Sequence, residues 1–351
     1  MTIEKFENLS AAGREYDHIT DEGLCDFIDE HAAKCNTLRI LDISKVSVSF
    51  SVTDRVSAKS LAALSKLTNL REVRVNLDHF ADSDIAMAWG VGEGARSVRR
   101  LFVLRESSPI WKFDRKEMTE FWKSVGRNIL TLFPGLTELS YQDLSDECSF
   151  NLVQLRDNAP DLIPLLTSVS VQGLSNGLID NMSNLEQIHV HGLGRRIYYF
   201  PTLSNLKRLV LEKDYFELPF SIVLDVLNNC TSLRELLVHA SKITGATDEA
   251  LATVFRDRAH LHQMEIFYLA SPDVPLALTG KSVDLITRTC AKSLKRLGQL
   301  QTWTIPADMS DSSVGPEFKI QRSARTTKYF KWCTEKPGVE ELDHCSKFFY
   351  C

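Results

Sequence analysis

The chain has 351 residues, 44% of them hydrophobic and 25% charged, which is typical of a globular protein and excludes disordered and low-complexity classes. The net charge of −5 argues against a basic nucleic-acid-binding surface, and no apolar run reaches the roughly 20 residues of a membrane span. The eight cysteines include no Cys-x-x-Cys pair, and the N-terminal sequence has no secretory signal. We therefore expect a cytoplasmic protein, with the nucleus as the alternative, and no nucleic-acid or membrane partner.

One short apolar pattern recurs along the chain: an apolar residue, two residues of any type, a second apolar residue, one residue, and a third apolar residue. Its copies begin in chain order at Leu38, Leu70, Val98, Leu136, Leu166, Leu185, Leu206, Leu233 and Leu261. The later positions of each copy alternate with other residues, which predicts a short strand with one buried face. The expected strand centres are residues 41, 73, 101, 139, 169, 188, 209, 236 and 264. A tenth copy begins at Leu300, with Leu294 and Leu297 as a competing register.

The stretches between these strands carry helix signals. Asp21 and Thr247 stand where helices are expected to begin, because their side chains can accept hydrogen bonds from first-turn amides. Residues 116–133 place apolar side chains at helical spacing, and Pro134 with Gly135 ends that helix.

The copies recur about every 28 residues, which is the period of leucine-rich repeats. We therefore predict an α/β leucine-rich-repeat solenoid of about nine or ten irregular repeats over residues 1–305. The strands should pair in chain order in one parallel sheet on the concave face, with the helices on the convex face. Residues 306–351 are expected to form a C-terminal cap or tail. Because the chain begins close to its first helix, we also expect Leu24, Phe27 or Leu38 to border an exposed apolar patch.

Three runs of the sequence carry a more specific resemblance. Residues 18–24 (HITDEGL), 35–41 (CNTLRIL) and 227–236 (LNNCTSLREL) resemble the cysteine-containing repeats of F-box/leucine-rich-repeat proteins. The resemblance covers roughly residues 18–305 and implies a substrate-recognition module of a ubiquitin ligase. We expect no F-box in this chain, because too few residues precede the predicted helix start at Asp21 for its three helices.

Side chains that point away from the core should line the concave face of the sheet. Aromatic and imidazole groups on that face suit protein contacts, as do aromatic residues in the two long rim loops at 104–116 and 269–281. The candidate protein-binding residues are Arg74, Phe102, Trp111, Phe113, His189, His191, Leu237, His239 and Phe267. The alternative is a solvated sheet face, with rim side chains that fold back over their own core.

Motifs for catalysis, nucleotides and metals are weak. Ser175 lies in a Gly-x-Ser-x-Gly sequence that matches the nucleophile elbow, but at a position where a repeat turn is expected. Pro275 replaces the first glycine of a phosphate-binding loop ending at Ser282, and so removes a required amide. Cysteines near the C-terminus do not have the spacing of a zinc module. The remaining cysteines at helical apolar positions are expected in the core, namely Cys25, Cys35, Cys230 and Cys290.

These observations predict a non-catalytic protein-binding scaffold, with no enzyme activity, no cofactor and no metal site. The resemblance adds a substrate-recognition module of F-box/leucine-rich-repeat type that lacks its F-box. A structural or inhibitory repeat protein without a ubiquitin-ligase role is the alternative. A serine hydrolase that uses Ser175 is the least favoured interpretation.

Overall fold

A computed structural model describes residues 5–6, 21–34, 37–44, 61, 63–76, 95–105, 115–143, 160–171, 182–191, 199–298, 302–304, 319–323 and 331–335. The chain divides into two compact units, residues 1–196 and 197–351.

The first unit contains seven described strands that pair in parallel and in chain order. They are β1 Lys5–Phe6, β2 Ile40–Asp42, β3 Glu72–Asn76, β4 Arg100–Arg105, β5 Glu138–Asp143, β6 Ser168–Val171 and β7 Gln187–Val190. The described helices of this unit are α1 Asp21–Lys34 and α2 Arg115–Leu132, with 3-10 turns at Leu64–Lys66 and Ile163–Leu165.

The apolar pattern sets the register of this sheet. The second apolar residues of successive copies lie directly opposite one another, and all are buried: Leu41, Val73, Leu101, Leu139, Val169 and Ile188. Because strand side chains alternate between faces, the third apolar residues lie on the same buried face. Six of the nine strand centres predicted from the sequence are therefore confirmed in this unit.

The second unit has four parallel strands and a hairpin among its described residues. The strands are β8 Arg208–Pro219, β9 Glu235–Thr244, β10 Ile266–Ala270 and β11 Arg296–Gly298. The hairpin consists of β12 Lys319–Ser323 and β13 Lys331–Glu335, and β13 pairs antiparallel with β11. The helices are α3 Phe220–Asn229, α4 Asp248–Asp257 and α5 Gly280–Thr289, and a 3-10 turn spans Ala259–Gln263.

Within each unit, neighbouring described repeats are joined by backbone hydrogen bonds just before the strand. The carbonyl of Arg39 accepts hydrogen bonds from the amides of Arg71 at 2.8 Å and Glu72 at 3.0 Å. The same paired acceptance recurs at the carbonyls of Arg71, Arg99, Thr137, Thr167, Lys207, Arg234 and Glu265. This ladder needs no particular side chain, so it satisfies the turn amides whatever the local sequence.

Strands in chain order, a buried leucine-rich row and helical returns are the features of the leucine-rich-repeat class of α/β folds. The fold class predicted from the sequence is therefore confirmed. One detail of the prediction is wrong.

The error is the register of the last two repeats. In β10, Phe267 and not Met264 lies opposite Leu236, because Leu261 belongs to the 3-10 turn before the strand. In β11, Leu297 lies opposite Phe267, so the competing register at Leu294 and Leu297 is correct. The tenth copy predicted at Leu300 is thereby replaced.

The start of the chain is described at residues 5–6 and from Asp21 onward. Leu24 and Leu38 are buried and Phe27 is half-buried. Strand β1 adds to the sheet edge at β2, with Phe6 opposite Leu41. A further strand therefore pairs with this edge of the sheet, and the exposed apolar patch beside these side chains stays a prediction.

Two cysteines form part of the core, as predicted. Cys230 and Cys290 are both buried, and each follows the last residue of a helix. The Cys290 thiol donates a hydrogen bond to the carbonyl of Leu261 at 3.1 Å, in the preceding repeat. Burial raises the pKa of each thiol to about 12. Cys25 is half-buried, and Cys35 lies outside the described residues.

Candidate protein-binding surface

The outer face of the first unit, opposite its apolar core, carries aligned rows of side chains. Its central row runs across the strands in alternation with the buried row and consists of Asp42, Arg74, Phe102, Ser140, Ser170 and His189. All six are half-buried, so each is held by neighbours and still reaches the surface. The sequence-predicted residues Arg74, Phe102 and His189 therefore share one face.

Charged side chains of alternating sign form a hydrogen-bonded network along one side of this face. The buried Glu72 accepts hydrogen bonds from Arg74 Nε at 2.7 Å and from the Arg100 guanidinium at 3.2 Å. Arg100 Nε also donates to Glu138 at 2.7 Å. The hydrogen bond to Glu138 is the main cause that raises the pKa of Arg100, with Glu72 adding to it and burial opposing it. The network neutralises the charge of Glu72 and fixes both arginines.

Within this network, the Arg74 guanidinium lies over the aromatic ring of Phe102. Arg74 Cζ lies 5.8 Å from the centroid of the Phe102 ring, and Arg74 also pairs with Asp42 at 3.7 Å. A cation over an aromatic face is attractive, and arginine and aromatic residues dominate many protein interfaces. This pair is the part of the face with the features of an anchor for a partner.

Imidazole and hydroxyl groups occupy the other end of the row. The centroids of the His189 and His191 rings lie 3.9 Å apart with an angle of 47° between the planes. The Ser170 hydroxyl lies 3.2 Å from Nε2 of His191. The structure thus brings together the two histidines that the sequence placed on this face.

The outer face of the second unit differs, because the centre of that face carries a cluster of buried apolar side chains. Val210, Leu237, Tyr268 and Ala270 form one buried cluster, against which Ile266 packs. Leu237 is only 3% exposed, so its side chain presents almost no surface to a partner in this structure. The sequence-based register did not predict this cluster, because it placed Glu265 and not Tyr268 opposite Leu237.

Phe267 does not lie on the outer face, which corrects its assignment as a binding residue. Its side chain is 0% exposed, and its ring packs edge-on against Phe255 with centroids 6.0 Å apart. The shifted register of β10 is the reason, because it places Phe267 opposite Leu236 in the core. His239 is half-buried and lies opposite Ala270 in the neighbouring strand.

The two rim loops have different outcomes. In the second loop, Leu276 and Leu278 are buried, as expected if rim side chains fold back over their own core. Val274 in the same loop is exposed. In the first loop, the predicted binding residues Trp111 and Phe113 lie outside the described residues. Ser175, the candidate nucleophile, also lies outside them.

The sequence-based prediction misses the residues that organise this surface. Glu72, Arg100 and Glu138 lie opposite one another on successive strands, at a position two residues before the central row. The signal is present in the sequence, because opposite charges recur at this one position of neighbouring repeats. The predicted surface began only at the central row and so left them out.

Among the described residues, no helix combines the length and the apolar character needed to cross a lipid bilayer.

No protein-family model matches the chain, and no curated protein sequence matches it significantly. Among solved structures, the chain is similar to the leucine-rich-repeat ectodomain of the plant membrane receptor kinase GASSHO1/SCHENGEN3 from Arabidopsis thaliana, solved in complex with CASPARIAN STRIP INTEGRITY FACTOR 2. The similarity has 14% sequence identity and a TM-score of 0.31, and it covers 71% of this chain and 29% of that ectodomain. The fold assignment rests on the strand pairing and the buried apolar rows described above.

Proposed function

We propose that this chain is a non-catalytic scaffold that binds a protein partner through the outer face of its first unit. The observation that carries the proposal is the pair Arg74 and Phe102, held half-buried in the central row of that face. The rim residues Trp111 and Phe113 are proposed to extend the same surface.

The pair is positioned before any partner arrives. Arg74 is held by Glu72 and Asp42, so its guanidinium loses little conformational freedom when a partner packs on it. The strand beneath is fixed to its neighbours by the backbone ladder. A side chain ordered in advance contributes more of its contact energy to affinity.

A finer version of the proposal is substrate recognition of the F-box/leucine-rich-repeat type, in the cytoplasm or nucleus. Buried Cys230 and Cys290 at the helix ends support the resemblance to cysteine-containing repeats, as does the thiol hydrogen bond to Leu261. A structural or inhibitory repeat protein is the alternative. Purified chain that retains ubiquitin-ligase adaptor proteins supports the finer version, and its failure to do so favours the alternative.

We further propose that residues 306–351 serve as a C-terminal cap. The antiparallel pairing of β13 with β11 supports this role, because it occupies the exposed hydrogen-bonding edge of the last parallel strand.

The test of the binding surface is a comparison of variants. Proteins captured by the parent chain are identified, and their affinities are measured for Phe102→Ala, Arg74→Ala and Lys123→Ala, the last a control on helix α2. We expect binding to weaken about tenfold or more in the first two variants, as for anchor residues, and to be unchanged in the control. If all three folded variants bind like the parent, the outer face is not the binding surface.

A further inference from the structure

His189 and His191 form a pair of adjacent imidazoles on the outer face of the first unit. They are separated by one residue on or just after strand β7, so both project from the same face of the sheet. Their ring centroids are 3.9 Å apart, and their nearest ligand nitrogens lie within 4.8 Å of each other. His189 is half-buried with its Nε2 atom buried, whereas His191 is exposed, so a solute approaches the pair from the side of His191.

Two neighbouring imidazoles offer the type of ligand that a first-row transition metal prefers. Zinc binds histidine nitrogen at about 2.0 to 2.1 Å with tetrahedral geometry, which places two ligand nitrogens about 3.3 Å apart. To reach that separation the two side chains must rotate from the observed arrangement, in which their ligand nitrogens lie within 4.8 Å of each other. His189 lies on strand β7 and His191 directly follows it, so the backbone holds the two ligands close together. Imidazole is a preferred ligand for zinc, copper and nickel and a poor one for magnesium or calcium.

We propose that His189 and His191 bind a divalent transition-metal cation, Zn²⁺ in particular, on the outer face of the first unit. Water, or a donor group of a bound partner, completes its coordination. This site goes beyond the proposed protein-binding function and does not depend on it. The sequence alone predicts protein contacts, and no metal site, for the same histidines.

Ser170 supports the same arrangement. Its hydroxyl lies 3.2 Å from Nε2 of His191. When this hydroxyl accepts a hydrogen bond from Nε2–H, it fixes the tautomer that presents Nδ1 to the cation. Metal-binding histidines commonly have such a partner on their other nitrogen. Ser170 is therefore a positioning residue, and Ser170→Ala is expected to weaken metal binding less than loss of either histidine.

The experiment is calorimetric titration of the full chain with Zn²⁺, for the parent and for His189→Gln and His191→Gln. His262→Gln is the matched control, because His262 is an exposed histidine in the 3-10 turn of the second unit. We expect each site variant to lose Zn²⁺ affinity by about tenfold or more, because a metal ligand is removed. The control should bind Zn²⁺ as the parent does. Circular dichroism of each variant verifies that it is folded.

Cobalt distinguishes this site from the cysteines of the chain. Co²⁺ bound by nitrogen and oxygen gives ligand-field bands without the intense charge-transfer bands of a thiolate. We expect the former in the parent and their loss in His191→Gln. The proposal is overturned if the parent binds no Zn²⁺, if both site variants bind it as tightly as the parent, or if the Co²⁺ spectrum is that of thiolates alone.

Discussion

Replacement of Phe267 by alanine tests the corrected register of the second unit. The register derived from sequence alone places Phe267 on the outer face, where truncation would affect binding and hardly affect stability. In the structure the side chain is 0% exposed and packs edge-on against Phe255 with centroids 6.0 Å apart. Phe267→Ala should therefore destabilise the fold.

The magnitude follows from three contributions. Burial of a phenylalanine side chain contributes roughly 2 to 3 kcal/mol. The edge-on contact with Phe255 adds about 1 kcal/mol. The remainder is the cavity left at Phe267, so the total cost should lie within the range of about 3 to 5 kcal/mol measured for such truncations.

Urea denaturation followed by circular dichroism measures this cost as a change in the free energy of unfolding. The matched control is Phe102→Ala, since Phe102 is half-buried on the outer face, and its truncation should cost less than about 2 kcal/mol. Phe267→Ala costing no more than Phe102→Ala, with both variants folded, would refute the corrected register.

Three further predictions concern the second unit. A methyl group added at Gly298 would lie 2.6 Å from Cδ2 of Tyr268, so Gly298→Ala should destabilise the fold by about 1 to 3 kcal/mol in urea denaturation. In a chain that already carries Tyr268→Ala, the same Gly298→Ala change should cost less, because the clashing ring is gone. Burial raises the pKa of the Cys290 thiol to about 12, so iodoacetamide at about pH 8 should label it only after denaturation, and rapid labelling of the native chain, read by mass spectrometry, would contradict this burial. Burial acts to raise the pKa of Asp248, but hydrogen bonds from Ser282 and Thr279 outweigh it and lower that pKa below its ordinary value of 3.8. The stability that the Asp248 carboxylate contributes should thus be complete above pH 3.8 and be lost as pH falls through the lowered pKa of Asp248. Asp248→Asn should abolish this part of the acid dependence. An unchanged pH profile of unfolding in Asp248→Asn would rule out this contribution.

The local repeat pattern predicts the buried row of the first unit. Leu41, Val73 and Leu101 are buried where the sequence placed them, because a spacing of two residues determines which face of a strand a side chain occupies. The ends of helices followed equally local rules. Thr247 accepts a hydrogen bond from the amide of Ala250, as its position before an apolar helix suggested.

The register of β10 could not be predicted in this way. Leu261, Met264 and Phe267 are all apolar and all spaced by three residues, so the sequence contains two overlapping copies of the pattern. The pairing of β10 with β9 decides between the two registers. The backbone of β10 pairs with β9 in the register that places Phe267 opposite Leu236. The short 3-10 turn at Ala259–Gln263 uses the residues that the other register would need.

The candidate surface shows the same division. That Arg74, Phe102 and His189 face away from the core followed from the alternation of strand residues, a property of each strand by itself. That Glu72 holds Arg74 and Arg100 together did not, since Glu72 and Arg100 are far apart in sequence and meet only when neighbouring strands align. The sequence by itself determined the class of fold and the face on which most side chains lie, because these depend on local periodicity. The tertiary structure decided register, ion pairing and the closeness of His189 to His191, because these depend on which backbones lie side by side and on how the side chains rotate between them.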